Sequence, residues 1–93
     1  MRIIGEIAHP FLKITVFKMD DKVHIKFEHA GAEIAFKIKG HELVYDFETA
    51  KTWVDQSLLS HVEKQFKALN EGANEAFKRL YEANQPDRFD TIL

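Results

Sequence analysis

The stretch Ser57 to Ala83, SLLSHVEKQFKALNEGANEAFKRLYEA, constrains the fold of this chain more than any other. Leu59, Val62, Phe66, Leu69, Ala73, Ala76, Leu80 and Ala83 recur at alternating steps of three and four residues, which puts them on one stripe of an α-helix. Asp55 can cap that helix by accepting from the backbone N–H of Ser57 or Leu58, and Pro86, which has no N–H to donate, prevents it from running much further. An apolar stripe of this length needs a surface to lie on, so the preceding residues must provide one.

They read as strands. Arg2 to Ala8 carries Ile3, Ile4 and Ile7 and ends before Pro10. Leu12 to Met19 follows, with Leu12, Ile14 and Val16 on one face and Lys13, Thr15, Phe17 and Met19 on the other, so that both faces are largely apolar. Asp20-Asp21 supplies a short turn, and Lys22 to His29 then alternates Val23, Ile25 and Phe27 inward with Lys22, His24, Lys26 and Glu28 outward. Ala30-Gly31 makes the next turn, and Ala32 to Lys39 turns Ile34, Phe36 and Ile38 inward. Connections this short allow only antiparallel neighbours, because a parallel pairing needs a crossover of about a dozen residues. His41 to Glu48 fits either a fifth short strand or an extended lead into the helices, and Thr49 is a candidate N-cap for a short turn over Ala50 to Val54 that carries Trp53.

The expected architecture is therefore α+β and two-layered: a four-stranded antiparallel β-meander, with or without that fifth strand, packed on one long C-terminal helix. Residues 1–85 form the single domain and 86–93 a flexible C-terminal tail. Val23, Ile25, Phe27, Ile34, Phe36, Ile38, Leu59, Val62, Phe66 and Leu69 are the expected core, with Trp53 pinning the corner between strand and helix.

Composition narrows the function classes. The net charge of −2 divides into seven basic against five acidic residues over 1–40 and six against ten over 41–93, with lysines and carboxylates interleaved throughout. A nucleic-acid binder concentrates its basic groups on one face, so the charge pattern argues against DNA or RNA. The chain has no cysteine, which removes disulfides, thiolate ligands and a thiol nucleophile and fits a cytoplasmic setting. The short apolar run at the start is broken by Gly5, Glu6, His9 and Pro10, and no apolar stretch long enough to span a bilayer follows, so neither a signal peptide nor a membrane helix is expected.

Chemistry-bearing residues do not form recognisable sets. His9, His24, His29, His41 and His61 include no pair with the spacing that aims two imidazoles at one ion, and they read as solvent-exposed. Asp20 and Asp21 are turn residues, and Ser57 and Ser60 lack an orienting base and an oxyanion site. No catalytic, cofactor-binding or metal-ligating residue is assigned, no cofactor is implied, and the reading leans away from an enzyme.

Two surfaces remain unexplained. A helix of 27 residues spans about 40 Å while a strand of this chain covers about 25 Å, so about ten residues of helix overhang the sheet, beginning near Gly72. There the weak segment Asn70-Glu71-Gly72-Ala73-Asn74 leaves two alternatives. Either the helix breaks and folds back, or it continues and presents Ala73, Ala76, Phe77, Leu80 and Tyr81 to another chain. On the sheet, Ile4, Thr15, Phe17 and Ala35 are apolar or small on the outer face, where the meander otherwise presents Lys, Glu and His. The expected function is thus a non-enzymatic protein-interaction module, a homodimer or the binder of a protein partner, acting through the outer sheet face, the distal helix or both. The alternative is a small-ligand-binding protein or enzyme with a cleft between sheet and helix near Tyr45, Trp53 and His41.

The N-terminal stretch GEIAHPFLKITVFKMDDKVHIKFE, followed by a long C-terminal helix, resembles a family of small uncharacterised proteins of Bacteroidetes-type bacteria. The resemblance implies the meander-plus-helix layout and a bacterial cytoplasmic setting, and it implies no activity and no residue roles.

Overall fold

A computed structural model describes residues 1–84. The chain forms β1 (Arg2–Ile7), β2 (Lys13–Met19), β3 (Lys22–His29), β4 (Ala32–Lys39), α1 (Phe47–Trp53) and α2 (Gln56–Ala83). The strands make one antiparallel sheet in the order β1-β2-β3-β4, the meander that the short connections require. The tail expected over 86–93 lies outside the described residues.

Register follows from the turns. Met19 opposes Lys22 across Asp20-Asp21, and His29 opposes Ala32 across Ala30-Gly31, so each hairpin has a two-residue loop. Ala30 and Gly31 sit at φ +50° and +80°, the left-handed pair of a type I′ turn, whose twist matches that of the flanking strands. Glycine takes that conformation freely, but Ala30 is strained by its Cβ against the following carbonyl. Ala30→Asn, which installs the preferred residue beside Gly31, is expected to raise stability by about 0.5–1 kcal/mol. A urea midpoint that moves up with an unchanged slope would show it, and a midpoint that stays or falls would refute it.

The inner face of the sheet carries Ile14 and Val16 of β2 and Val23, Ile25 and Phe27 of β3, all buried. Ile34, Phe36 and Ile38 point the same way but stay half-buried, because β4 is an edge strand with a neighbour on one side only. Leu12, Val44, Ala50 and Val54 complete the core together with Val62 and Phe66 of α2. The helices divide the sheet between them, α1 approaching β1 and α2 approaching β4. Trp53 meets Phe36 edge-to-face with ring centroids 5.2 Å apart, which pins the corner between the helices and the sheet as expected.

The structure decides one open alternative and corrects two local readings. His41 to Asp46 forms no fifth strand, and its inward residue is Val44, while Leu43 and Tyr45 are exposed. The first helix starts a turn earlier than Thr49: Asp46 is its N-cap and Thr49 its third residue. Asp46 accepts from the Thr49 backbone N–H at 2.9 Å, and Thr49 Oγ1 accepts from the Asp46 N–H at 3.0 Å, so two orphan donors are satisfied reciprocally. Leu69, finally, is not core but exposed. The sheet ends over Phe66, and the next stripe residue of α2 projects beyond it.

Helix α2 itself begins as read, with Asp55 accepting from the Leu58 N–H at 2.9 Å. It runs through Gly72 without a break and ends at Ala83. Twenty-eight residues make it about 42 Å long. The molecule accordingly measures 68 × 26 × 18 Å.

The cap at Asp46 gives the fold an acid-sensitive joint. Hydrogen bonds from the Thr49 hydroxyl and then the Thr49 backbone N–H hold the Asp46 carboxyl below its ordinary value of 3.8, with a smaller contribution from the charge of Lys18. A carboxylate whose folded pKa is depressed contributes stability that is fully present above the ordinary value and is lost as pH falls through the folded one. Asp46→Asn is therefore expected to flatten the decline of the melting temperature below about pH 4. Parallel acid melting curves for the two proteins would refute it.

Candidate interaction surfaces

The open face of the sheet is built in rows across the strands. Ile3, Phe17, His24 and Lys37 form one row, and Glu6, Thr15, Lys26 and Ala35 the next. Ile3, not Ile4, stands opposite Phe17, because β1 bulges between Ile3 and Gly5 and the extra residue shifts the side-chain alternation. Ile4 instead packs against the core, which corrects its expected place on the outer face.

Thr15, Phe17 and Ala35 do lie on that face, yet they form little open apolar surface. Thr15 is only 3% exposed between its neighbours, and Phe17 is half-buried under Lys26, whose Nζ stands 5.3 Å from the ring centroid. The same Nζ is 3.5 Å from Glu28. His24 lies beside Phe17 with its Nε2 buried and without a hydrogen-bond partner. The stem and head of Lys26 thus roof the centre of this strip, while Ile3 at its β1 end is 61% exposed and Ala35 is exposed.

The distal helix is different. Leu69, Phe77, Leu80 and Tyr81 are 49%, 58%, 58% and 67% exposed, Ala73 is exposed, and Ala76 is half-exposed. A Cβ placed on Gly72 would meet nothing within 4 Å. The stripe that buries Val62 and Phe66 beneath the sheet therefore continues for three more turns with nothing on it among the described residues.

Between these surfaces, at the end of the sheet, sits an aromatic cluster that the sequence pattern does not reveal. His9 Nδ1 accepts from the backbone N–H of Leu12 at 3.1 Å and of Phe11 at 3.3 Å, which folds the β1–β2 loop around the imidazole. Its Nε2 stands 3.3 Å from Glu63 on α2. Phe11 packs edge-on to both His9 and His29, and His29 packs edge-on to Phe66. His9, His24 and His29 are thus partly buried rather than solvent-exposed, whereas His41 and His61 are exposed. Residues 54 positions apart make the His9–Glu63 contact, and no local periodicity encodes such a pairing. Beside the cluster, Phe11, Leu12, His29, Phe66, Asn70 and Asn74 line an open hollow of about 290 Å³.

The expected cleft near Tyr45, Trp53 and His41 is not assembled from those three. A shallow depression of about 280 Å³ is lined by Leu43, Val44, Thr49, Thr52 and Trp53, and neither Tyr45 nor His41 contributes to it. His41 is engaged locally, its Nδ1 accepting from the Leu43 N–H at 2.9 Å. Among the described residues no group of three or more His, Asp or Glu side chains is placed to hold a metal ion, and no helix is long and apolar enough to cross a membrane. No protein-family model, no curated protein and no solved structure matches the chain.

Proposed function

We propose that this chain is a protein-interaction module that self-associates through the distal half of α2, working in a bacterial cytoplasm without nucleic acid as a partner. One observation carries the reading: past Phe66 the apolar face of α2 continues over Leu69, Ala73, Ala76, Phe77 and Leu80, uncovered by any of the described residues. A contiguous apolar strip on an otherwise polar helix costs free energy in water unless something covers it. The outer sheet face is the weaker candidate, because charged stems already shield Phe17 and Thr15. That face mixes Lys13, Lys26 and Lys37 with Glu6, Glu28 and Glu33, a pattern unsuited to a phosphate backbone.

Size-exclusion chromatography with light scattering tests the reading. At high micromolar concentration the expected mass is twice 10.8 kDa. Leu80→Glu, at an exposed site that leaves the core untouched, is expected to weaken the dimer at least about tenfold by placing a charge in the contact. Phe17→Lys is expected to leave it unchanged. A strict monomer would overturn the proposal, and a dimer sensitive to Phe17→Lys but not to Leu80→Glu would move the contact to the sheet.

A further inference from the structure

We infer that two copies of this chain pair their distal α2 helices antiparallel, about a two-fold axis between Asn74 and Glu75, an arrangement that rests on the self-association proposed above. The exposed stripe reads the same in both directions about that point. Leu69, Ala73, Ala76 and Leu80 are spaced four, three and four, so an antiparallel copy sets Leu69 against Leu80 and Ala73 against Ala76. Two alanines from each helix meet at the centre beside Gly72, small enough for the axes to approach to about 8 Å, and a leucine pair closes each end.

The fold excludes the parallel alternative. The sheet covers the stripe face of α2 over Val62 and Phe66. A parallel copy in register would have to run its own proximal half through that sheet. An antiparallel copy overlaps only beyond Phe66, and its proximal half extends away past Ala83. The stripe contact is therefore confined to residues 69–80, which the two-fold sets against themselves, and Tyr81 reaches past it on the flank.

The hollow at the sheet end matches this pairing. Its helical lining, Glu63, Phe66, Lys67, Asn70, Glu71 and Asn74, lies on the flank of the stripe that also carries Phe77 and Tyr81. With Leu69 set against Leu80, the second copy brings its Phe77 alongside Asn70 and Asn74 and its Tyr81 toward Lys67 and Phe11. Two exposed aromatic rings per copy thus cover the space that the cluster leaves open. Twelve paired residues with these aromatics bury on the order of 1,000 Å² in total, the lower end of specific interfaces. A micromolar dimer is the corresponding strength.

The absence of cysteine makes single-cysteine cross-linking clean. In this register the Ala76 positions of the two copies are offset by three residues, about 4.5 Å along the axis. The two Leu69 positions are offset by eleven, about 16 Å, and so are the two Leu80 positions. With a short bismaleimide, Ala76→Cys is expected to cross-link to itself, and Leu69→Cys and Leu80→Cys are each expected to fail alone but to cross-link when mixed. The substituted positions are exposed or half-exposed and outside the core, so each variant is expected to keep the parent circular dichroism spectrum. Self-cross-linking of Leu80→Cys, or failure of Ala76→Cys in a protein that light scattering shows to be dimeric, would overturn the antiparallel register and leave self-association standing. A monomer would overturn both.

Discussion

Phe66→Ala is expected to lower the stability of the fold by about 3–5 kcal/mol, a large part of what a domain of this size possesses. Phe66 is the bulkiest side chain that α2 buries, and it is 2% exposed. Its ring packs edge-on to His29, with centroids 5.9 Å apart, and His29 in turn packs against Phe11. Truncation removes the apolar transfer energy of the ring and leaves a cavity under the sheet edge that the rigid strands cannot collapse into. Phe77→Ala, eleven residues further along α2 where the side chain is 58% exposed, is expected to change unfolding free energy at dilute concentration by less than about 0.5 kcal/mol. Urea unfolding of both variants, followed by Trp53 fluorescence at a concentration at least about tenfold below the dimer Kd, where the proposed dimer is dissociated, measures the contrast. Equal losses in the two would mean that the distal half of α2 packs on its own domain, against the exposure of Phe77 and Leu80.

Gly5→Ala is expected to cost about 2–3 kcal/mol, much more than a surface glycine normally does. Gly5 lies at the bulge of β1, directly under the ring of Phe47, the first residue of α1. A Cβ there would overlap the Phe47 ring carbons, with Cζ at 2.9 Å and two others closer still. The ring is part of the packing around the core and cannot simply swing out. Relief therefore requires α1 to move off the sheet or the ring to leave its rotamer. A double-mutant cycle separates these effects: in a Phe47→Ala background the Gly5→Ala penalty is expected to fall below about 1 kcal/mol, because the obstructing ring is gone. A penalty that persists in that background would place the cost in the β1 backbone rather than in the contact.

These two sites differ in how visible they are from the residues alone. Phe66 sits on a stripe whose period is that of a helix, and the bland expectation that it faces a sheet is what the fold shows. Gly5 sits in a short apolar run, where a glycine marks only a local weakness in a strand. Nothing near it indicates that a phenylalanine 42 positions later will be laid across it, because the placement depends on where the Asp46–Thr49 cap starts α1. The shift of Ile4 into the core has the same origin. Strict alternation sends Ile4 outward with Phe17, but one bulge in β1 inverts the faces of the residues before it, and bulges leave no reliable mark on composition.

The candidate surfaces follow the same division. Ala73, Ala76, Phe77, Leu80 and Tyr81 are recognisable in advance because a helix and a sheet have incommensurate rises, and their lengths can be compared residue by residue. Whether the weak Asn70 to Asn74 segment would interrupt the helix could not be read from propensity, since the cost of one glycine, about 1 kcal/mol, is small against the cooperativity of a helix anchored at one end. The aromatic cluster of His9, Phe11, His29 and Phe66 was illegible for a different reason. It joins the β1–β2 loop, the end of β3 and a helix over a chain separation that carries no period.

The amino-acid sequence by itself determined the element order, the antiparallel meander, the inward faces of β2, β3 and β4, the Asp55 cap and the excess length of the helix. Each of these is a local property, set by the alternation of side chains, the reach of short turns and the fixed rise of each element. Tertiary structure alone decided the bulge that turns Ile4 inward, the seat of Phe47 on Gly5, the burial of Val44, the histidine-aromatic cluster and the point beyond Phe66 at which the sheet stops covering α2. These depend on where surfaces distant in the chain come to rest against each other, and that is settled by packing rather than by any local preference.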